Sequence, residues 1–177
     1  AGGSMGTSSW GTAVVRACRE LRGGKDEAHV DTSVGAEADE PLSKHAFGAQ
    51  FVEVRVNVDT CEIRVPRVLG VFACGRIINP KTARSQFLGG MTMGVSMALF
   101  EETAIDPAIG GFVTQDLATY HVPVNADIED IEATWIDEVD PHVNPMGGKG
   151  IGEIGIVGTA AAVANAVFNA TGVRVRD

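Results

Sequence analysis

The sequence predicts an α+β fold: a helix packed on an antiparallel β-hairpin, with a second small lobe that carries a C-terminal helix. Three observations predict it. Residues 47–73 read as two strands joined by a short turn, residues 80–102 read as a helix opened by a proline, and an alanine-rich run reads as a helix that stops at Gly172. The length of 177 residues suits one domain or two small lobes sharing a core, not a multidomain enzyme, and 45% hydrophobic with 21% charged residues is the composition of a chain that buries such a core.

In chain order, Gly2 to Ser9 is a loop of small residues, with Ser8 or Ser9 as the expected N-cap of a helix running to Arg22, where Gly23 and Gly24 end it. Residues 25–45 are polar and acidic without a sustained period, and are read as a loop and lobe boundary, dividing the chain into 1–45 and 46–177. From Phe47, apolar Phe51, Val52, Val54, Val56 and Val58 alternate with Glu53, Arg55 and Asn57, Asp59-Thr60-Cys61 turns the chain, and a β-branched run follows to Ala73. Cys61 falls where a positive φ would suit glycine better. Gly75 to Lys81 breaks the second strand, and Pro80 opens a helix carrying Phe87, Met91 and Val95 together with Gly89, Gly90 and Gly94. Glycine inside a helix costs roughly 1 kcal/mol relative to alanine, so these three predict close backbone packing or approach of a ligand. Asp106 to Gly111 reads as a turn, Asp127 to Asp130 as an acidic connector, and Ile131 to Val139 as a strand. Trp10 and Trp135 are expected in the core, His121 at a rim, and the acidic run Asp127 to Glu132 on a solvated face.

Lys and Arg number 14 against 23 Asp and Glu, a net charge of −9, the wrong sign for wrapping nucleic acid or an anionic membrane surface. No apolar run is expected to approach a membrane span, and the first residues lack the basic and apolar regions of a signal peptide. Cys18, Cys61 and Cys74 are odd in number and stand in no metal-binding spacing, so they read as free thiols. The opening AGGSMGTSSWG and the closing TGVRVRD read as the interior of a longer protein, so the chain is expected to be a fragment.

The stretch NPMGGKGIGEIGIVGTAAAVANAVFNATG carries most of the functional information. Gly147, Gly148, Gly150, Gly152 and Gly155 let a backbone approach something closely, and the loop feeds a helix N-terminus, where free N–H groups and the dipole attract anions. The string GxGxxG occurs at Gly150, Gly152 and Gly155, but no apolar strand run precedes it and no acidic residue follows at the ribose-binding distance, so a dinucleotide fold fails on context. A tight structural loop and a cofactor loop both fit the glycines. Glu153, flanked by Ile151 and Ile154, favours the second, since a carboxylate there is expected to be buried at a cleft and to act as a base. Taken singly, Arg76 is also readable as a strand-end cap, Asn79-Pro80 as an ordinary turn and Gln86 as an exposed helix residue.

Three separated motifs occur in order: Gly2-Gly3-Ser4; Gly75-Arg76-Ile77-Ile78-Asn79-Pro80-Lys81-Thr82 before Gln86-Phe87-Leu88-Gly89-Gly90; and Lys149-Gly150-Ile151-Gly152-Glu153 before a small-residue helix. Together they resemble the molybdopterin-binding large subunit of the xanthine dehydrogenase and aldehyde oxidase family, and within it the bacterial aldehyde oxidoreductases that use a cytosine-dinucleotide cofactor. That subunit is several times longer, so the resemblance is to its C-terminal part. It implies the fold of that part and a molybdenum held by the pterin dithiolene with no protein ligand to the metal. It also implies Glu153 as the base on the molybdenum-bound hydroxyl, in the oxidation of aldehydes to carboxylic acids with water as oxygen source.

By the same resemblance Gly3 and Ser4 belong to a cofactor loop; Arg76, Ile77, Ile78, Asn79, Pro80, Lys81 and Thr82, with Gln86, reach the nucleotide and pyrophosphate; and Lys149, Gly150, Ile151 and Gly152 lie beneath the pterin. The implied partners are the remainder of the molybdenum subunit, a [2Fe-2S] and an FAD subunit or domain, and a small aldehyde. Hydroxylation of a nitrogen heterocycle of the xanthine type is the alternative reaction, and a non-catalytic fragment or nucleotide-binding module the alternative class. The chain alone is expected to be inactive.

Overall fold

The computed structural model describes residues 4–32 and 42–176. The element order is α1 (Met5–Arg22), β1 (Phe47–Val56), β2 (Ile63–Ala73), α2 (Pro80–Leu99), the short pair β3 (Ile105–Asp106) and β4 (Gly111–Phe112), β5 (Asp130–Trp135), α3 (Ile154–Val157) and α4 (Thr159–Thr171). The fold is α+β, as the sequence predicts.

The alternation after Phe47 produces the expected antiparallel hairpin, with Phe47 opposite Ala73 and Val56 opposite Ile63, and a register shift between Glu53 and Arg55. Its turn places Cys61 at φ +60, the strained backbone anticipated there. The hairpin is not the whole sheet. β5 pairs parallel with β2, from Arg67 beside Asp130 to Phe72 beside Trp135, which makes β2 the central strand. A strand covered on both edges is the one that can be most apolar, and Val65, Val68, Phe72 and Ala73 of β2 are buried. β5 ends at Trp135, short of the expected Val139, because after Ile136 donates to the carbonyl of Phe72 the chain leaves the sheet.

Helix α2 starts as predicted. Asn79 caps it, its side chain accepting from the N–H groups of Lys81 and Thr82, and Pro80 occupies the first turn. It lies across the sheet with Phe87 stacked on Phe72 at a centroid distance of 4.3 Å and Trp135 tilted against Phe87 at 6.2 Å. Trp135 is thus at the core, as expected; Trp10 is not, being 79% exposed on α1. The expected N-cap of α1 is also corrected: the helix begins at Met5, and the cap position falls on Ser4, whose hydroxyl is turned to the N–H of Gly152. A long-range partner, invisible locally, diverts it.

The C-terminal helix is two pieces, α3 and α4, meeting at Gly158, and Gly172 closes it at φ +74 as anticipated. Its lobe is not set apart, because α4 packs on β1 and α2, and Val163 and Val167 belong to the same buried cluster as Phe72, Phe87 and Met91. Residues Ile154–Thr171 have the length and composition of a membrane-crossing helix, which corrects the expectation that no run approaches one; here Thr159, Val163 and Val167 are buried inside the fold. The glycines of α2 explain how closely the helices meet. A Cβ at Gly90 would lie 3.0 Å from the Gly155 backbone, and one at Gly94 2.5 Å from the Cβ of Thr159, whereas Gly89 faces open space.

Candidate functional site

Described residues from all three motifs, Ser4, Arg76–Asn79 with Thr82 and Gln86, and Lys149–Gly152, line one cavity of about 510 Å³. One wall is the segment between β2 and α2, another is the glycine loop before α3, and the third is the first turn of α1. Backbone contacts hold the first two walls together: Gly75 and Gly148 form an isolated antiparallel bridge, Arg76 N–H donates to the carbonyl of Gly147 at 2.7 Å, and Lys149 N–H donates to the carbonyl of Cys74 at 2.9 Å. Gly75 has φ +68, and a Cβ on it would collide with the carbonyl oxygen of Gly147, so only glycine fits the crossing.

Side chains extend these contacts. Gln86 Nε2 donates to the carbonyl of Gly152 at 2.6 Å, and Gly152 N–H donates to Ser4 Oγ at 3.0 Å, so α2, the glycine loop and the start of α1 meet at Gly152. Asn144, buried, donates through Nδ2 to the carbonyl of Gly148 at 2.6 Å and to Ser8 Oγ at 3.0 Å, while its Oδ1 accepts from Met146 N–H. Asn144 was not assigned a role from sequence; an asparagine directly before a proline and two glycines is a turn signal, but its buried partners are not local.

Of the sequence-predicted residues, Ser4, Arg76, Ile77, Ile78, Asn79, Thr82, Gln86, Lys149, Gly150, Ile151 and Gly152 line the cavity. Pro80 and Lys81 sit beside it in the first turn of α2, and Gly3 lies outside the described residues. Glu153 does not line it. Glu153 borders an adjacent depression of about 440 Å³ with Phe47, Gln50, Ile154 and Val157, and Ser4, Gly150 and Gly152 line both spaces. The expected burial of Glu153 is corrected too: its side chain is exposed, because the glycines around it supply no side-chain cover and the two isoleucines are themselves only half-buried. It occupies the N-cap position of α3 without capping it, which leaves the carboxylate uncommitted.

The Lys149 side chain turns away from the cavity. Its Nζ lies 3.1 Å from Glu138 Oε1 and 3.4 Å from Asp140 Oδ2. Burial works against the Lys149 charge, but the two carboxylates outweigh it and hold the ammonium above its usual range. Glu138 is held below the usual carboxylate range by the Gly75 N–H, which it accepts at 2.6 Å, and by Lys149. Burial, with the Glu138 charge, pushes the Cys74 thiol up to about 11. The three cysteines are free, as expected, and among the described residues no cluster of His, Cys, Asp or Glu could hold a metal.

The cavity's chemistry fits a molybdopterin nucleotide. Among the described residues that line it none is Asp or Glu, while Arg76, hydroxyls of Ser4, Thr7, Ser8 and Thr82, and the amides of Asn79 and Gln86 all border it. Gly6 and Thr7 bring the N-terminus of α1 to the cavity, and no side chain caps that helix, so its first N–H groups are left without a cap there. Glycine backbone makes the cradle: a Cβ at Gly148 would lie 2.8 Å from the carbonyl of Arg76, and one at Gly152 2.5 Å from Ser4 Oγ. A cofactor that contributes its own metal ligands requires no ligand cluster from the protein.

Comparison with known proteins agrees with this geometry. A family model described as a molybdopterin cofactor-binding domain matches residues 25–129. The aldehyde oxidoreductase molybdenum-binding subunit PaoC of Escherichia coli strain K12 is 56% identical over 131 residues, 74% of this chain and 18% of that protein. The putative xanthine dehydrogenase molybdenum-binding subunit XdhA of the same strain is 38% identical over 130 residues, 73% of this chain and 17% of that protein. Among solved structures, quinoline 2-oxidoreductase from Pseudomonas putida 86 aligns with TM-score 0.63 at 31% identity, over 69% of this chain and 16% of that one. The aldehyde oxidoreductase of Desulfovibrio desulfuricans aligns with TM-score 0.65 at 27% identity, over 73% and 14%. The chain therefore spans less than a fifth of the length of the relatives it matches. Given a family match over more than half its residues and a cavity of fitting chemistry, the chain belongs to the molybdopterin cofactor-binding domains of the molybdenum-binding subunits of aldehyde oxidoreductases and xanthine dehydrogenases.

Proposed function

We propose that the chain is the C-terminal part of a molybdenum hydroxylase subunit that oxidises aldehydes to carboxylic acids, with Glu153 as the base. The observation that carries the reading is the convergence of Ser4, the Arg76–Thr82 segment with Gln86, and Lys149 to Gly152 on one cavity with no carboxylate among its described lining residues, and Glu153 just beyond the shared wall. When bound, a molybdopterin cytosine dinucleotide supplies the two-electron redox chemistry and the site of oxygen transfer. This chain's residues supply the rest. Arg76 and the uncapped N-terminus of α1 bind the anionic end, Asn79, Thr82 and Gln86 orient it, and the backbone of Gly150 to Gly152 lies under the pterin.

Glu153 takes the proton from the water-derived oxygen that attacks the aldehyde carbon. Its carboxylate at the head of α3 supports that role, since it makes no side-chain cap and both oxygens are open to accept. The remainder of the subunit covers this face and completes the active site, and iron–sulfur and flavin subunits carry the electrons onward. The 56% identity to an aldehyde oxidoreductase subunit, against 38% to a xanthine dehydrogenase one, favours the aldehyde over the heterocycle. The test is Glu153→Gln in the full-length subunit, assayed with an aldehyde and an artificial dye acceptor. Molybdenum content is expected to hold while turnover falls by roughly 10²–10⁴-fold, the usual worth of a positioned base. Near-parental turnover in the loaded variant would remove Glu153 from the mechanism.

A further inference from the structure

Lys149 stands in the glycine loop where a phosphate-binding cation would be sought, yet its ammonium is spent elsewhere. The side chain is 10% exposed, and Nζ sits between Glu138 Oε1 at 3.1 Å and Asp140 Oδ2 at 3.4 Å. Two carboxylates and one ammonium leave that corner with a net charge of about −1, which repels a pyrophosphate instead of attracting it. The same Glu138 oxygen accepts the N–H of Gly75 at 2.6 Å. Gly75 leads directly into the Arg76–Thr82 wall of the cavity, and Lys149 leads directly into the Gly150–Gly152 wall. One carboxylate therefore gathers the first residue of each wall.

Between Gly147 and Gly152 only Lys149 and Ile151 carry side chains, and of these Ile151 packs on the core while the four glycines lose the most freedom when ordered. The position of this wall must come from ties to its neighbours, and the Lys149 side chain is the longest of them. We propose that Glu138, acting through Lys149, is a positioning residue that sets the two walls at the separation the cofactor requires, and that the Lys149 ammonium is not a cofactor-phosphate contact. The inference rests on the reading that this cavity receives the cofactor. It removes Lys149's charge, though not its backbone, from the residues expected to bind it.

The test is molybdenum and pterin content per folded full-length subunit for Glu138→Gln, Lys149→Met, their double variant and Lys149→Arg. Positioning predicts that Glu138→Gln and Lys149→Met each lower occupancy roughly 10-fold, in line with other residues that orient a bound centre without touching it. It further predicts that the double variant is no worse than either single, because both break one tie, and that Lys149→Arg returns occupancy to within about 2-fold of the parent, because arginine pairs with carboxylates equally well. Occupancy that holds or rises in Glu138→Gln while falling in Lys149→Met would show a direct phosphate contact and overturn the inference, as would parental occupancy in all four. Should Lys149→Met fail to fold, Glu138→Asp reads the same tie: one methylene less is expected to lower occupancy, and an unchanged value overturns the proposal. A parent subunit that contains no molybdopterin would overturn the functional reading, and this inference with it.

Discussion

The three glycines of α2 make opposite predictions from one chemical change. Gly→Ala inside a helix gains roughly 0.5–1 kcal/mol from the smaller loss of backbone freedom. At Gly89 nothing lies within 4 Å of the added methyl, so the full gain is expected. At Gly90 the methyl would stand 3.0 Å from the backbone of Gly155 and Ile156, and α3 must give by a few tenths of an ångström, which consumes the gain. At Gly94 it would stand 2.5 Å from the Cβ of Thr159, a fully buried residue whose hydroxyl is fixed to the carbonyl of Gly155, so α4 or α2 must move. Overpacking of this kind costs about 1–3 kcal/mol, which outweighs the helix gain. Urea denaturation of the purified chain reads the differences directly. With an m-value of about 2 kcal/mol/M, the midpoint should rise by about 0.25–0.5 M for Gly89→Ala, stay near the parent for Gly90→Ala, and fall by up to about 1.2 M for Gly94→Ala. A Gly94→Ala midpoint as high as that of Gly89→Ala would refute close helix packing as the reason for these glycines. The contact bears on the proposed function because α2 packs on α3, and the head of α3 carries Glu153, the proposed base.

Other expectations follow from the same geometry. Phe87→Ala, at a fully buried position stacked on Phe72, should cost about 3–5 kcal/mol in the same denaturation experiment, and a loss under 1 kcal/mol would show that the ring is not central to the core. Arg76→Ala in the full-length subunit should lower molybdenum per subunit more than turnover per molybdenum, since a charge contact remote from the reacting carbon anchors without catalysing; the opposite pattern would move Arg76 into catalysis. Glu138 and Asp140 have folded pKa values below their ordinary ones, so the stability they contribute is present above the ordinary carboxylate range and is lost as pH falls through the lower folded values. Denaturation midpoints of the parent and Glu138→Gln should therefore differ at neutral pH and converge as pH falls below the ordinary carboxylate range, and parallel pH profiles would contradict the depressed carboxylate.

What could be read in advance was whatever local chemistry decides. The hairpin followed from alternation, the start of α2 from Asn79-Pro80, the end of α4 from Gly172, and the strained turn from Cys61 in a position suited to glycine. The features that escaped the sequence depend on partners far along the chain. Ser4 looks like part of a loop because nothing nearby shows that its hydroxyl serves Gly152, and β5 shows no sign of joining β2 in parallel. Trp10 is apolar by type, but α1 presents it to solvent. The site divides in the same way. Residues of separate motifs border one cavity, but Glu138, Asp140 and Asn144 act through partners brought together only by the fold, and Glu153 is open where its apolar neighbours suggested cover.

The cavity bordered by Ser4, Arg76, Gln86 and Gly152 is proposed to hold a molybdopterin dinucleotide. The most direct test is to purify the full-length subunit, measure bound molybdenum, and identify the nucleotide released by acid hydrolysis. The account predicts molybdenum and CMP in equal amounts, both reduced together by Arg76→Ala. A folded subunit that yields neither, from cells able to make the cofactor, would contradict it.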